Sequence, residues 1–526
     1  MHPPVLQSYL AGQWFGTEPG QALHDAASGA VVAHTHAGLG DFDAALQYGR
    51  GTGVRALLEL DFQQRAARLK ALAKYLAEHK ETLYEWSLYT GATRNDGWID
   101  IEGGIGTLFS YASMGSQELP AGNVVHEGPV VTLGKQGQFV GSHILVPREG
   151  VAVHIDAFNF PVWGLLEKFA PSFLAGMPCI AKPATSTGYL TWALVRLMLE
   201  SGLLPEGCLQ LVIGSTGDLL DRLGGQDAVT FTGSAATAAR LRANPKLLER
   251  GVPFNAEADS LNSAILAPDV QASDPEFELF VREVVREMRV KAGQKCTAIR
   301  RILVPRRHLD ALGASLAAKL AALRIGDPRL PEVQMGPLAS KDQQRDVGDA
   351  LQRLRACCDT VFDGSTQPAW AGVGAEQGAF FAPTLLACPR PAEVAAVHDV
   401  EVFGPVSTLM PYDDLDEALE LAARGQGSLV ATVATRDPVL AARAVRRAAV
   451  HHGRILVLDE QAAKESTGHG SPLPALKHGG PGRAGGGEEL GGMRAVAHYL
   501  QRAEVQGSPT MLGAVLGEYV RGGQRF

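Results

Sequence analysis

Leu69, Leu72, Leu76 and Leu83 recur at helical spacing, which predicts a long amphipathic helix over residues 62–84. The pattern then changes. Val151–Ile155, Cys179–Ala181, Leu209–Ile213 and Ala228–Phe231 are short apolar runs rich in β-branched residues. Helix-like stretches lie between them, near 162–174, 187–201 and 216–223. Strand alternating with helix predicts βαβ units and a parallel sheet covered on both faces. A second series starts after about residue 260. It comprises Ser263–Leu266, a helix near 276–291 (Val281, Val284, Val285, Met288), and the runs Arg301–Val304, Leu429–Val433 and Arg454–Leu458. The expected class is α/β, with two doubly wound domains. Segments 122–148 and 495–510 alternate without helical period and read as extra strands reaching out of the body.

Composition narrows the function classes. The chain has 526 residues, 46% of them hydrophobic, and a net charge of -8. That is enough for several domains. No dense basic stripe appears, so nucleic acid is not an expected partner. The arginine pairs Arg300-Arg301 and Arg306-Arg307 read as solvated strand or loop ends. The six cysteines are too sparse for a disulfide scaffold, and no CxxC spacing suggests zinc. All six are expected to be reduced thiols of a cytoplasmic protein, five of them structural. The N-terminus shows no signal-peptide pattern and no apolar run is long enough to span a membrane. The adjacent His451 and His452 read as surface residues, and no metal site is expected.

Six segments carry candidate chemistry. Cys296 follows Gly293-Gln294-Lys295 outside any apolar periodicity. A cysteine alone is usually buried filler, but an inward-pointing Lys295 would favour its thiolate. Glu257, in Phe254-Asn-Ala-Glu-Ala-Asp259, is either a loop acid or a partly buried general base for a hydrolytic water. Asn159 follows a buried strand and precedes Pro161; it is either a helix cap or an amide donor to an oxyanion. Thr232-Gly233-Ser234 ends a strand and opens a helix, a geometry that suits a phosphate. Lys182 sits at a strand end, where cofactor hydroxyls bind in parallel sheets. The Gly- and Pro-rich stretch 466–492, with Lys477, His478, Glu488 and Glu489, reads as a folded loop beside an active site rather than a linker.

In this order, from about residue 8 to about 505, these segments resemble the aldehyde dehydrogenase superfamily. The resemblance implies a Rossmann-like NAD(P)-binding domain from 1–121 and 149–260 and a catalytic domain at 261–465. It further implies oligomerisation or bridging segments at 122–148 and 490–526 and an active-site loop at 466–489. By the same resemblance Cys296 is the nucleophile, Glu257 the base, and Asn159 with the Cys296 N–H the oxyanion hole. Phe158, Lys182, Gly233, Ser234, Glu401 and Phe403 would hold the cofactor. Lys168 and Glu489 fall where some members have a proton relay. Two departures concern the cofactor. Ala238 stands where a glycine is common, and Thr185 where NAD-preferring members carry a glutamate. A threonine can hydrogen-bond a 2′-phosphate that a carboxylate would repel, so NADP is expected, with NAD weaker. The chain most resembles members that oxidise CoA-linked semialdehydes in benzoate or phenylacetate degradation. It ends at Phe526 with no hydratase domain, so a stand-alone benzoate-type enzyme, as a homodimer, is expected. A CoA-acylating dehydrogenase would not need Glu257; a cysteine hydrolase would need a histidine paired to Cys296, and no motif supplies one.

Overall fold

The computed structural model describes residues 3–366, 370–372 and 377–525. The long helix spans Phe62–Leu88 and begins with a capping box: Asp61 accepts from Gln64 N while the Gln64 amide returns to the Asp61 backbone. Its leucine stripe is fully buried and packs on helices Gly103–Glu118 and Gly188–Glu200. Beside this layer lies a seven-stranded sheet in the order Phe254–Glu257, Ala228–Thr232, Ala152–Ile155, Cys179–Lys182, Leu209–Leu211, Ser8–Leu10, Gln13–Phe15. The first five strands are parallel, and the N-terminal hairpin closes the edge antiparallel. Strand Ala152–Ile155 comes first in the chain among the five parallel strands. The next strand, Cys179–Lys182, pairs on one side of it and Ala228–Thr232 on the other. The order therefore reverses there, and a crevice opens at the carboxyl ends of these strands.

A second seven-stranded sheet runs Asp359–Asp363, Thr384–Ala387, Val406–Tyr412, Ile299–Pro305, Asn262–Leu266, Ser428–Ala434, His452–Leu458, parallel except at its first strand. Three antiparallel strands, Val125–Thr132, Val140–Pro147 and Leu500–Gly507, form a separate sheet. The chain is thus α/β with two doubly wound sheets and a strand arm.

Several sequence expectations need correction. Residues 216–223 hold only a 3-10 turn, Leu219–Arg222, because Gly214 and Gly217 adopt positive φ just before it. The stretch 495–510 is not all extended: helix Met493–His498 precedes its strand and helix Pro509–Leu516 follows. Arg300 and Arg301 are not solvated but buried. Arg301 donates four hydrogen bonds to the carbonyls of Leu261, Leu421 and Ala422, which replace the water its guanidinium would otherwise seek. His452 is buried as well, its ring against the Ala448 carbonyl.

Candidate active site

The crevice is a cleft of about 560 Å³. Its walls include Phe158 and Asn159 after strand Ala152–Ile155, Gly233 and Ser234 after strand Ala228–Thr232, Glu257 at the end of the edge strand, and Cys296, Glu401 and Phe403 from the second domain. Lys182 and Thr185 lie just outside this wall, on either side of Ala184, which lines it. The Lys182 ammonium donates to the Pro183 carbonyl at 2.7 Å, and burial lowers its pKa. Ser234 caps helix Ala235–Arg242 through Thr237, and Asp259 accepts from Ala235 N at 2.8 Å. The helix end therefore already faces one carboxylate. Phe158 and Phe403 meet edge to face at 5.8 Å. Glu401 is pushed up to about 7 by burial, opposed by Arg300 at 3.6 Å. Its Oε1 and the Thr232 Oγ1 are buried without hydrogen-bond partners. A dinucleotide fits this wall: paired phenyl rings, an unpartnered carboxylate oxygen and a hydroxyl suit a ring and its ribose.

Cys296 stands on a strained, heavily tied loop. Lys291 and Ala292 adopt left-handed φ of 53° and 52° after helix Pro275–Arg289. Each costs about 1–2 kcal/mol for an L-residue. Gly293 follows at φ 69°, and a Cβ there would sit 2.3 Å from the Gly404 carbonyl oxygen, so only glycine fits. Lys291 N donates to Asp96, and Arg300 donates to the carbonyls of Gly293, Lys295 and Gly404. Asn262 Nδ2 donates to the Cys296 carbonyl at 2.8 Å. These bonds hold the backbone that carries the thiol. Lys295 is buried with its ammonium 2.7 Å from Glu287, and its charge favours the thiolate as expected, behind the larger opposing effects of burial and Glu257. Asn159 is not a helix cap. Asp100 accepts from Val162 and Trp163 N–H at the head of helix Trp163–Ala175, leaving the Asn159 amide to donate to the Gln294 carbonyl at 3.0 Å.

Around the sulfur, His478 corrects the expectation that no histidine meets Cys296. It comes from the glycine-rich loop, where Lys477–His478 pairs with Glu489–Leu490. Its Nε2 lies 4.0 Å from Cys296 Sγ and 3.2 Å from Glu257 Oε1. The second contact has ion-pair distance without hydrogen-bond alignment, for Oε1 has no hydrogen-bond partner. Burial would raise the Glu257 pKa, but His478 and the Cys296 thiol outweigh it and hold the carboxyl at about 2. Cys296 has some exposure to the cleft, yet the dense atoms around it, then the Glu257 charge, push the thiol well above its ordinary value. The resting pair is a neutral thiol beside a carboxylate. A second, narrow pocket of about 60 Å³ opens on the other side of Cys296, walled by Trp163, Glu167, Gly470 and His478 among others.

Behind Glu257 lies a buried acid cluster. The Lys168 ammonium is 3.1 Å from Glu167, 3.2 Å from Glu489 and 3.7 Å from Asp156. Desolvation works against its charge, but these carboxylates win and raise its pKa. One cation cannot hold so many anions ionised. Burial pushes Glu167 up to about 8, with Lys168 opposing and Glu489 adding, and Glu489 up to about 7. Glu167 was missed as a candidate in the sequence; the available signal was the adjacent charged pair Glu167-Lys168 inside an otherwise largely apolar helix. A stability test follows. Glu167 binds its proton more tightly folded than unfolded, so its contribution is complete below pH about 4.5 and is lost as pH rises through about 8. Glu167→Gln should therefore raise the melting temperature relative to the parent more at pH 8.5 than at pH 5, as a pair of melting series read by circular dichroism would show.

The comparisons agree with this geometry. Residues 17–505 match the model of the aldehyde dehydrogenase family. The chain is 45% identical over 478 residues, 90% of its length and 93% of the other's, to 3,4-dehydroadipyl-CoA semialdehyde dehydrogenase of Aromatoleum evansii. It is 27% identical over 512 residues to betaine aldehyde dehydrogenase of Vibrio vulnificus, covering 95% and 97% of the two chains. Its fold matches the crystal structure of Staphylococcus aureus betaine aldehyde dehydrogenase in complex with NAD+ with a TM-score of 0.82 at 22% identity, over 95% and 94% of the chains. A thiol on a strained loop, a carboxylate beside it and a match over nearly the whole length lead to one conclusion: this chain belongs to the aldehyde dehydrogenase family and is an oxidoreductase acting on aldehydes.

Proposed function

We propose that the chain oxidises 3,4-dehydroadipyl-CoA semialdehyde, or a CoA-linked semialdehyde very like it, to the carboxylic acid with NADP. The supporting observation is Cys296 at the junction of two pockets with Glu257 beside it. One pocket suits a dinucleotide, and the other can take an aldehyde. The substrate itself is inferred from the 45% identity to the Aromatoleum evansii enzyme. In the capture step the Cys296 thiol gives its proton to water in the cleft, the sulfur bonds to the aldehyde carbon and the C=O π pair moves onto the oxygen. Asn159 turns its amide from the Gln294 carbonyl to the new oxyanion, which the Cys296 N–H also meets. When bound, the oxidised nicotinamide supplies the hydride acceptor. Phe158, Phe403 and Glu401 orient it, while Lys182, Gly233 and Ser234 hold the ribose and phosphates. Glu257 then takes a proton from water, the hydroxide attacks the thioester carbon, and the C–S bond breaks. The proton passes to the Glu489–Lys168 group, with Glu167 in contact. This group reaches a small cavity walled by Asn255, His498 and Tyr499.

The thiols are free and no described helix is long and apolar enough to cross a membrane, in keeping with a cytoplasmic enzyme. The strand arm and the helix after it expose Val131, Leu133, Phe139 and Met511, apolar side chains that a homodimer would cover.

The cofactor assignment rests on Thr185. Thr185→Glu should lower kcat/KM with NADP by about tenfold or more, roughly 1.4 kcal/mol, and leave NAD the better cofactor. Steady-state assays of both cofactors would show it; an unchanged ratio would remove Thr185 from the reading. For the substrate, kcat/KM with a CoA-linked semialdehyde should greatly exceed that with a simple aliphatic aldehyde. The product should be the free acid even with CoA present; an acyl-CoA product would point to the acylating reaction.

A further inference from the structure

We infer that Cys296, Glu257 and His478 form a reversible inhibitory site for zinc. The three side chains converge so that one ligand atom from each lies within 4.8 Å of the others. A tetrahedral zinc with bonds of about 2.0–2.3 Å spaces its donors about 3.3–3.6 Å apart. Here His478 Nε2 is 3.2 Å from Glu257 Oε1 and 4.0 Å from Cys296 Sγ, so small rotations of side chains suffice. A thiolate, an imidazole and a single carboxylate select a borderline-soft ion over magnesium or calcium. The cluster also has unspent capacity. Glu257 Oε1 is buried with no hydrogen-bond partner, and His478 Nδ1 is likewise unpaired. Both pockets reach Cys296 and Glu257, which gives the ion an entry and a fourth position for water.

Binding breaks the Cys296 S–H bond, forms an S–Zn bond and releases the proton to solvent, with no change of oxidation state. The ion then occupies the nucleophile and the base together. Inhibition follows only because both act in the reaction proposed above. The metal site itself stands on geometry, so a binding readout separates the two.

Cobalt(II) is the spectroscopic stand-in. The chelator-treated full-length protein, titrated with cobalt chloride, should bind one ion per chain with the visible bands of a tetrahedral site and a near-ultraviolet thiolate-to-cobalt band. Zinc chloride should abolish both. Cys296→Ala should lose the thiolate band, and His478→Phe should weaken cobalt binding at least about 100-fold. Circular dichroism melts confirm that each variant is folded, and Glu257→Gln provides a second ligand deletion of similar volume. In turnover, zinc chloride should inhibit, EDTA should restore the rate, and His478→Phe should raise the inhibition constant by a similar factor. Bands that survive in Cys296→Ala would put the ion on other thiols, such as Cys358 and Cys388, and overturn the inference. So would equal cobalt affinity in His478→Phe and the parent.

Discussion

Cys296→Ala should abolish aldehyde oxidation, lowering kcat by at least about 10⁴-fold, because in the proposed reaction this thiol holds the substrate covalently while hydride leaves. No other described nucleophile shares this position. Thr297 beside it spends its hydroxyl on the Gly470 carbonyl at 3.1 Å. The loop should survive the change, since its strain is held by Arg300, Asn262 and Asp96 through backbone atoms rather than through the sulfur. The melting temperature therefore stays near the parent value, and steady-state formation of reduced cofactor provides the rate. Appreciable residual oxidation would mean that hydride transfer needs no thiohemiacetal.

Glu257→Gln should slow steady-state turnover by about 10²–10⁴-fold, the usual worth of a positioned general base. The structure adds a constraint on how Glu257 performs this role. With His478 and the Cys296 thiol beside it the carboxyl sits at about 2, which makes it a weak base in the resting arrangement. In the proposed cycle acylation of Cys296 removes one of these constraints, the thiol proton donor. Burial raises the pKa of Glu489 and of Glu167, so a carboxyl of this cluster can carry a proton near neutral pH.

Much of this arrangement was legible in the chain, and the rest was not, for physical reasons. Strands such as Ala152–Ile155 and Ser428–Ala434 announce themselves because both faces are buried and the runs are short and mostly apolar. Cys296, Glu257, Asn159, Gly233 and Glu401, the candidates that short motifs and the family resemblance single out, stand at strand ends or in adjoining loops and line one cleft. His478 meets Cys296 across 182 residues, and nothing local marks the pairing. The helix expected at 216–223 failed because glycines at 214 and 217 take conformations that a helix cannot use. Arg300 and Arg301 were misread because a charged side chain normally seeks water. Here carbonyls at loop and strand ends replace that water, and the guanidinium of Arg300 becomes the brace of the catalytic loop. Lys295 lies inside as expected and favours the thiolate, but it is shared with Glu287, and burial and the Glu257 charge outweigh it at the sulfur.

The order of events, capture by Cys296 before any need for Glu257, is open to a single-turnover measurement. Folded Glu257→Gln protein is mixed rapidly with NADP and the semialdehyde, and the sample is examined by absorbance and by intact-protein mass. One equivalent of reduced cofactor per chain should appear in a fast phase, with the mass of the acyl group added at Cys296, followed by slow release. Absence of both the burst and the adduct, or multiple fast turnovers with no adduct, would contradict a covalent intermediate that the Glu257 carboxylate is needed to hydrolyse.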